Sequence, residues 1–524
     1  MKKSILALGA AVALGGIGFA GSAHALAFFG PGAAPASDAT ALELNPGGRG
    51  HYLFTPYYSA QGTIGTMFSV TNTDNVNGKA LKVRFRGAAN SDDVLDFTVF
   101  LSPLDVWTAG VTKDGQDFAL LTTNDKSCTI PKIPAEGVQF KIGRTDSALG
   151  EAERKSHTRE GYIEVLNMAD VLPGTALFTN IKHVNGVAPC LTPAFATVSN
   201  TTVAADAGEM EAAGLGAPSG QLMGSWAVMN QEELAVYGGA QTAVQAVKTA
   251  SAPGVPAVNG LGYISFAPQM GASIGAALDG IGGVKAVTAD PLLRAGKVTP
   301  LWFDLPDMST PYTTAVTAGA TAPILQANAL SLALGKDVVL NDYAANADGS
   351  AVPMNTDWVV SQPTRRYHAA VDYKAGTILW NPDMTTGTGE PTATAPAVAV
   401  NTYGNLALLD RGNMGKYACL TGAVGGVDRE ETEAEGASTD FSPGTITTAN
   451  FCGEVFTLSF NRPTSQVLQA EVANTPSGQM PGTEGWASLN LDSGAVLPVV
   501  GFAATSIKNT DKFGNFGLTL PHRW

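Results

Sequence analysis

The segment Lys79–Arg86, KALKVRFR, alternates apolar and cationic side chains. The three apolar side chains are Leu81, Val83 and Phe85, and the three cations between and after them are Lys82, Arg84 and Arg86. Successive side chains of a β-strand point to opposite faces. This period of two therefore predicts a half-buried antiparallel strand with one polar face toward water. Residues 93–101 (DVLDFTVFL) repeat the alternation.

Further strand candidates lie on both sides of this segment, and turns such as Thr73–Gly78 (TDNVNG) separate them. They are residues 51–58, 63–72, 105–111, 161–168, 224–229, 262–267, 357–361, 455–460, 486–491 and 499–503. Helical signal is confined to residues 322–334 and to residues 271–284, whose glycines weaken it. The sequence therefore predicts a mainly β protein made of antiparallel β-sandwich units, Ig-like or jelly-roll-like.

Composition supports the same class of protein. The 524 residues include 60 Gly and 30 Pro, and only 15% are charged, which is below the usual quarter. Many turns and few charges favour a secreted all-β protein over a cytosolic α/β enzyme. Biased segments at 204–220, 238–260, 385–400 and 428–440 predict long loops, most of them rich in Ala, Gly or Pro.

The N-terminus has the form of a Sec-type signal peptide at residues 1–25. Lys2 and Lys3 precede the apolar run Ile5–Ala20, and Ala23 and Ala25 provide the small residues of a cleavage site. An uncleaved anchor is the alternative interpretation. We expect an extracellular or cell-surface protein, with the periplasm as the other possible location, and no transmembrane segment after cleavage.

The chain after the signal peptide divides by composition into four parts. A linker at 26–46 precedes an N-terminal β-sandwich at 47–205. Residues 206–260 are expected to form a low-complexity loop region with a short strand. A C-terminal β-rich domain at 261–524 follows, and it can borrow strands from the first.

Four cysteines are present, at positions 128, 190, 419 and 452. An even number in an exported protein favours disulfides, and three pairings are possible. We prefer Cys128–Cys190 and Cys419–Cys452, because each pairing keeps its loop within one region. Free buried thiols are the alternative.

The formal net charge is −14, and loss of Lys2 and Lys3 with the signal peptide would make it −16. Such a chain repels nucleic acid and attracts divalent cations. Oxygen-rich turns that could hold calcium contain Asp74, Asn75 and Asn77; Asp114 and Asp117; and Asp342, Asn346 and Asp348. We favour the interpretation that these residues build turns, and calcium is the only cofactor that the sequence suggests.

Gly271–Gly275, GASIG, matches the G-x-S-x-G pattern of serine hydrolases, in which Ser273 would be the nucleophile. The pattern arises easily in a Gly-rich chain, and no alternating βαβ pattern surrounds it. The histidines at 51, 157, 183, 368 and 522 have no zinc-binding spacing. We therefore predict no catalytic residue and no enzyme activity, with a hydrolase using Ser273 as the alternative.

Several stretches resemble a family of secreted bacterial "cell surface proteins", some of them proposed as surface-layer proteins. The longest is FSVTNTDNVNGKALKVRFRGAANSDDVLDFTVFLSPLDVWTAGVT, and the shorter ones are REGYIEVLNM, TDWVVSQPTRRYH, DREE, EGWASLNL and NFGLTLPHRW. The resemblance covers patches from about residue 47 to the end and implies a location and a structural role, without catalytic residues.

The expected function is that of an exported structural or interaction protein of the cell surface, such as a surface-layer or extracellular-matrix component. Its expected partners are copies of itself or other surface components. The aromatic C-terminus also resembles that of outer-membrane β-barrels, but Pro521, His522 and Arg523 interrupt the last strand. A barrel is the second alternative.

Overall fold

The structure is a computed structural model. It describes residues 38–204, 207–249, 256–278, 283–316, 321–346, 352–381, 389–395, 403, 406–433, 448–491, 496–508 and 514–524. It is mainly β, with 42% strand against 14% helix in several antiparallel sheets. The predicted fold class is confirmed.

Among the described residues, fifteen strands lie in the N-terminal half. They are β1 Ala41–Leu44, β2 Tyr52–Ser59, β3 Ile64–Asn72, β4 Gly78–Gly87, β5 Asp93–Leu101, β6 Val106–Lys113, β7 Ala119–Thr122, β8 Cys128–Ile130, β9 Val138–Gln139, β10 Glu160–Val171, β11 Leu215–Gly216, β12 Leu222–Asn230, β13 Ala235–Ala240, β14 Thr242–Lys248 and β15 Val258–Asn259. All their pairings are antiparallel.

These strands form the two sheets of a first sandwich. Sheet 1 has the order β1-β14-β2-β10-β4-β5-β8, and sheet 2 has the order β13-β12-β3-β6-β7-β9. Aromatic side chains fill the space between them, and the rings of Phe68 on β3 and Phe85 on β4 lie 5.7 Å apart, edge to face. Trp107 contacts both Phe68 and Phe97.

Residues 206–260 are richer in strands than the sequence predicts. Strands β12 and β13 extend sheet 2, and β14 joins β1 to β2 in sheet 1. The predicted linker contributes as well, because β1 lies within it. Small side chains such as Ala243 and Ala246 are buried here, so Ala/Gly-rich sequence packs into strands that composition alone assigns to loops.

The described part of the second half contains fourteen more strands. They are β16 Gly335–Lys336, β17 Val339–Ala344, β18 Met354–Ser361, β19 Ala369–Asp372, β20 Thr377–Trp380, β21 Ala407–Asp410, β22 Lys416–Asp428, β23 Thr448–Cys452, β24 Val455–Ser459, β25 Asn474–Pro476, β26 Glu484–Asn490, β27 Leu497–Pro498, β28 Val500–Ile507 and β29 Phe516–Pro521.

Two five-stranded sheets of this half share a second core. One has the path β17-β26-β22-β21, with β23 beside β22, and the other has the order β25-β24-β18-β28-β29. Trp358, Leu458 and Leu489 are among the buried side chains between them. Trp226 of the first sandwich lies against Phe502 of the second, with ring centroids 4.4 Å apart. The core of the first sandwich therefore continues into the second half.

Helices are short, and several of them contribute to the core on the outer face of sheet 1. They are α1 Glu151–Thr158, α2 Ala176–Ile181, α3 Ala194–Val198, α4 Ala207–Ala212, α5 Gly275–Leu278, α6 Pro291–Arg294 and α7 Ala322–Ala333, with 3-10 turns at Thr201–Ala204, Val284–Ala286, Trp302–Asp304, Arg365–Tyr367 and Gly412–Met414. Helix α7 matches the predicted helix at 322–334.

The second predicted helix, at 271–284, is only the single turn α5 among its described residues. Residues 262–267 do not form the predicted strand. Ile264 and Phe266 pack instead on the outer face of sheet 1, held by isolated bonds such as Ser265 N–H to the Met168 carbonyl at 2.9 Å.

Both expected disulfides are present. Cys128–Cys190 joins β8 to the segment after α2, and Cys419–Cys452 joins the paired strands β22 and β23. Each bridge therefore lies within one region of the chain, as the preferred pairing predicts.

Candidate functional site

The predicted calcium residues do not assemble into one site. Asp74, Asn75 and Asn77 share a turn, but both carboxylate oxygens of Asp74 are already engaged. One accepts the Val76 and Asn77 amides at 2.8 and 3.2 Å, and the other accepts the Lys79 ammonium at 3.0 Å. This geometry is that of a side chain that builds a turn.

The second predicted group lies far along the chain. Asp342 is exposed on β17 with Arg523 3.9 Å away. The amide of Asn346 donates to the Val352 carbonyl. Asp348 lies outside the described residues. In the described part of the chain, no group of three or more His, Cys, Asp or Glu side chains could hold a metal ion.

The third predicted group, Asp114 and Asp117, lies in a turn whose side chains are bonded to neighbouring residues. Asp114 accepts the amides of Gln116 and Phe118 at 2.8 and 2.9 Å, and its other oxygen accepts the Gln139 amide at 2.6 Å. Asp117 lies on the same turn and is 3.5 Å from the Lys113 ammonium. Calcium binding therefore stays a prediction, because the contacts of these turns do not test it.

Ser273 is exposed, but its surroundings differ from a nucleophile elbow. Among the described residues 260–272 no strand leads into it, and α5 after it is only four residues long. Its hydroxyl accepts the Gly275 amide at 3.4 Å. The histidines all have contacts elsewhere, as with His368, whose ring lies 2.9 Å from the buried Ser331 hydroxyl. Sequence alone could not exclude the elbow, because that motif is defined by its strand–turn–helix context.

The alternating cations of β4 occupy a buried site that the sequence does not predict. We call Lys79, Lys82, Arg84 and Arg86 the cation row. Lys82, Arg84 and Arg86 share the outer face of sheet 1, whereas Lys79 alternates with them and pairs in register with the core residue Leu101. The four residues are at most 4% exposed. The prediction that the polar face of this strand is turned toward water is therefore wrong. Described residues within 262–278 and 283–312, which we call the covering segment, lie over this face of sheet 1.

Carboxylates from several strands neutralise the cation row. Lys79 contacts Asp74 and Asp170 at 3.0 and 2.8 Å. The other three pairs are Lys82–Asp96 at 2.6 Å, Arg84–Asp93 at 3.0 Å and Arg86–Glu164 at 3.5 Å. The register places Arg84 between Glu164 on β10 and Asp96 on β5. Buried charges persist when they are paired and hydrogen-bonded in this way.

The cation row also binds the backbone of the covering segment. The Phe303 carbonyl accepts the Lys82 ammonium at 2.6 Å and the Arg84 guanidinium at 2.9 Å. The Pro306 carbonyl accepts a second Arg84 N–H at 3.2 Å. These bonds fix a segment without regular strands onto the sheet.

The carboxylates around the cation row respond differently to burial. Burial raises the pKa of Glu164 to about 7, although Arg86 opposes the shift. Burial also acts to raise the pKa of Asp96, but Lys82 and Arg84 outweigh it and leave that pKa below its usual value. Burial raises the pKa of Asp304 to about 6, with Arg144 opposing. The site therefore contains carboxylates with distinct proton affinities.

An apolar groove opens beside this site, where the edges of the two sheets of the first sandwich meet. Its volume is ≈ 440 Å³. Apolar side chains form most of its lining, and six of them are Leu95, Phe97, Ile133, Val138, Met270 and Phe303. Lys132, Lys141 and Arg144 also line it, as do Asp93 and Asp96. Such a volume and lining are typical of small-molecule sites.

A second surface lies on the outer side of sheet 2, and its described strand residues are uncharged, with the Asp125 carboxylate at its border 3.3 Å from the Thr108 amide. We call it the neutral face. Its residues alternate with core residues such as Phe68 and Trp226 and are not themselves buried. They are Met67, Ser69, Thr71, Val106, Thr108, Gly110, Met223, Ser225, Ala227, Met229, Val236 and Gly238.

The strand register places these residues side by side. Ser69 pairs with Ser225 and with Thr108, and the two serine hydroxyls lie 2.9 Å apart. Met67, Met223 and Val236 are 52%, 44% and 52% exposed. The signal for this face is visible in the sequence as three strands without a charge in their interior, TIGTMFSVTN, VWTAGVT and QLMGSWAVMN.

Comparisons with protein-family models, with curated proteins and with solved structures found no match. Among the described residues, none of the helices has the length and apolar character needed to cross a membrane.

Proposed function

We propose that this chain is an exported structural protein of the cell surface that associates with copies of itself and has no catalytic role. The observation that carries the proposal is the neutral face. A chain with a net charge of −14 repels its own copies, and a contact through charged surface would bring like charges together. The neutral face is a surface on which two copies can meet without that cost.

The composition of the neutral face fits close packing of sheets. Small residues (Ser, Thr, Gly and Ala) lie between half-exposed Met and Val side chains. The exposed apolar side chains of Met67, Val106, Met223 and Val236 lie on this one face, and clustered exposed apolar side chains are a mark of interaction sites. Two copies related by a two-fold axis would each present the same patch to the other.

Two further features support a location outside the cytoplasm. Residues 1–25 have the pattern of a signal peptide, and two disulfides cross-link the fold. Disulfides persist in oxidising compartments and are rare in the cytosol. The resemblance to secreted cell-surface proteins supports the same location and role.

The test is the association state of the oxidised protein from residue 26 onward, measured by sedimentation velocity over a range of concentrations. We expect reversible self-association. The double variant Met67→Glu/Met223→Glu places like charges on both copies and should leave the protein monomeric. Leu332→Glu/Val352→Glu changes two other exposed apolar residues with the same change in charge and should associate like the wild type.

A wild type that stays monomeric at every concentration would refute self-association. Equal association of the two double variants would instead move the interface away from the neutral face. An acidic chain also attracts divalent cations, which can bridge carboxylates of neighbouring copies and strengthen association, and addition of EDTA, then of calcium, tests that effect in the same experiment. Imaging of the cell envelope with and without the protein tests its location.

A further inference from the structure

We propose that the apolar groove binds a long-chain aliphatic carboxylic acid, with the chain in the groove and the carboxylate at Lys132 and Lys141. This site is separate from the neutral face and goes beyond the proposed structural role.

The lining of the groove favours an apolar occupant. It combines Leu95 and Phe97 from the N-terminal part of β5 with Ile133, Val138 and the covering residue Phe303 around a volume of ≈ 440 Å³. The Arg144 guanidinium lies 5.9 Å from the Phe303 ring and 3.2 Å from Asp304. It therefore extends the apolar wall while its charge is matched by Asp304.

The charges at the groove select an anion. Asp93 and Asp96 are matched by Arg84 and Lys82, at 3.0 and 2.6 Å. Lys132 and Lys141 are exposed at the rim, and among the described residues neither ammonium has an ion pair. Two unmatched cations beside an apolar surface, on a protein of net charge −14, provide a local attraction for an acid head group.

The experiment uses dansyl-undecanoic acid as the probe and the amide of the same probe as its neutral counterpart, with the intact oxidised protein. We expect saturable binding of the acid, with one probe per chain, an emission shift to the blue, and displacement by oleate. Lys132→Glu/Lys141→Glu should weaken binding of the acid about tenfold, because two favourable surface ion pairs become repulsive.

Two further variants distinguish binding in the groove from an effect of overall charge or of unfolding. Lys126→Glu/Lys182→Glu changes two exposed lysines outside the groove and should leave the affinity near that of the wild type. Gly271→Phe places a ring in the groove, since a Cβ at Gly271 would meet only Phe303, at 4.0 Å. It should abolish probe binding without loss of the folded state, measured by circular dichroism.

The proposal is overturned by equal affinity for the acid and the amide, or by unchanged binding in the folded Gly271→Phe variant. Binding to vesicles of anionic phospholipid without binding to the monomeric probe would also overturn it, since that result indicates a membrane surface. Sedimentation of the same variants shows whether self-association survives, so the two proposals fail or succeed independently.

Discussion

The two outer faces of the first sandwich look alike in strand pattern and differ completely in charge. On sheet 1 the outward cations Lys82, Arg84 and Arg86 of β4 are buried, and the Phe303 carbonyl of the covering segment accepts hydrogen bonds from Lys82 and Arg84. On sheet 2 the outward side chains of β3, β6, β12 and β13 are uncharged, and many are exposed. The charged face is the covered one, and the neutral face is open.

The contrast shows that alternation in a strand identifies its two faces but not the environment of each. Cations at every second position usually indicate a solvated face. Here carboxylates lie at neighbouring register positions, as with Arg84 between Glu164 and Asp96. Paired charges of this kind can be buried, because each ion keeps partners after water is removed.

The largest expected effect comes from breaking the cation row. Lys79→Met leaves the buried carboxylates of Asp74 and Asp170 without their shared cation, so we expect the free energy of unfolding to fall by about 3–5 kcal/mol. The measurement is urea unfolding followed by tryptophan fluorescence. The control Lys113→Met removes a partly exposed lysine 3.5 Å from Asp117 and should cost less than about 1 kcal/mol. Similar losses in both variants would contradict the role given to burial.

A smaller effect concerns the covering segment and its pH dependence. Burial raises the pKa of Asp304 from its usual 3.8 to about 6. Below pH 4 the carboxyl is protonated in both states, whereas above pH 6 the folded state must hold a buried charge. Stability from this group therefore falls as the pH rises from about 4 to about 6, by about 1–3 kcal/mol.

The variant Asp304→Asn should remove that part of the pH profile, measured as the melting temperature between pH 4 and pH 7. The exposed Asp117→Asn serves as its control and should keep the wild-type profile. If Asp304→Asn also keeps the wild-type pH profile, the buried Asp304 carboxylate is not the cause of the pH dependence.

Much of the fold follows from local sequence, while the location of each face does not. The strands at 79–86, 93–101 and 161–168 are predictable from their own alternation, and the disulfide pairing from the position of the cysteines. The burial of Lys82 depends on Phe303 and Gln269, about 200 residues away along the chain. No local pattern contains that contact.

The sites divide in the same way. The sequence identifies Asp74 as a turn residue. Its contact with Lys79, and the contact of Lys79 with Asp170, depend on strand register. The groove combines residues from β5, from the loop after β8 and from residues 269–303. Such sites become visible only when distant segments are brought together, whereas the uncharged strands of the neutral face could have been noticed in the sequence.

The smallest expected effect tests the other half of the comparison, on the neutral face. Met67 is 52% exposed, and its cross-strand neighbours are Ala227 and Gly110. Met67→Glu therefore removes little buried apolar area and meets no like charge across the strands. At a protein concentration low enough to keep the chain monomeric, we expect the free energy of unfolding to change by no more than about 0.5 kcal/mol. Urea unfolding supplies the value. A loss of about 2 kcal/mol or more would mean that another part of the chain covers Met67 in the monomer, and the contrast between an open and a covered face would then fail.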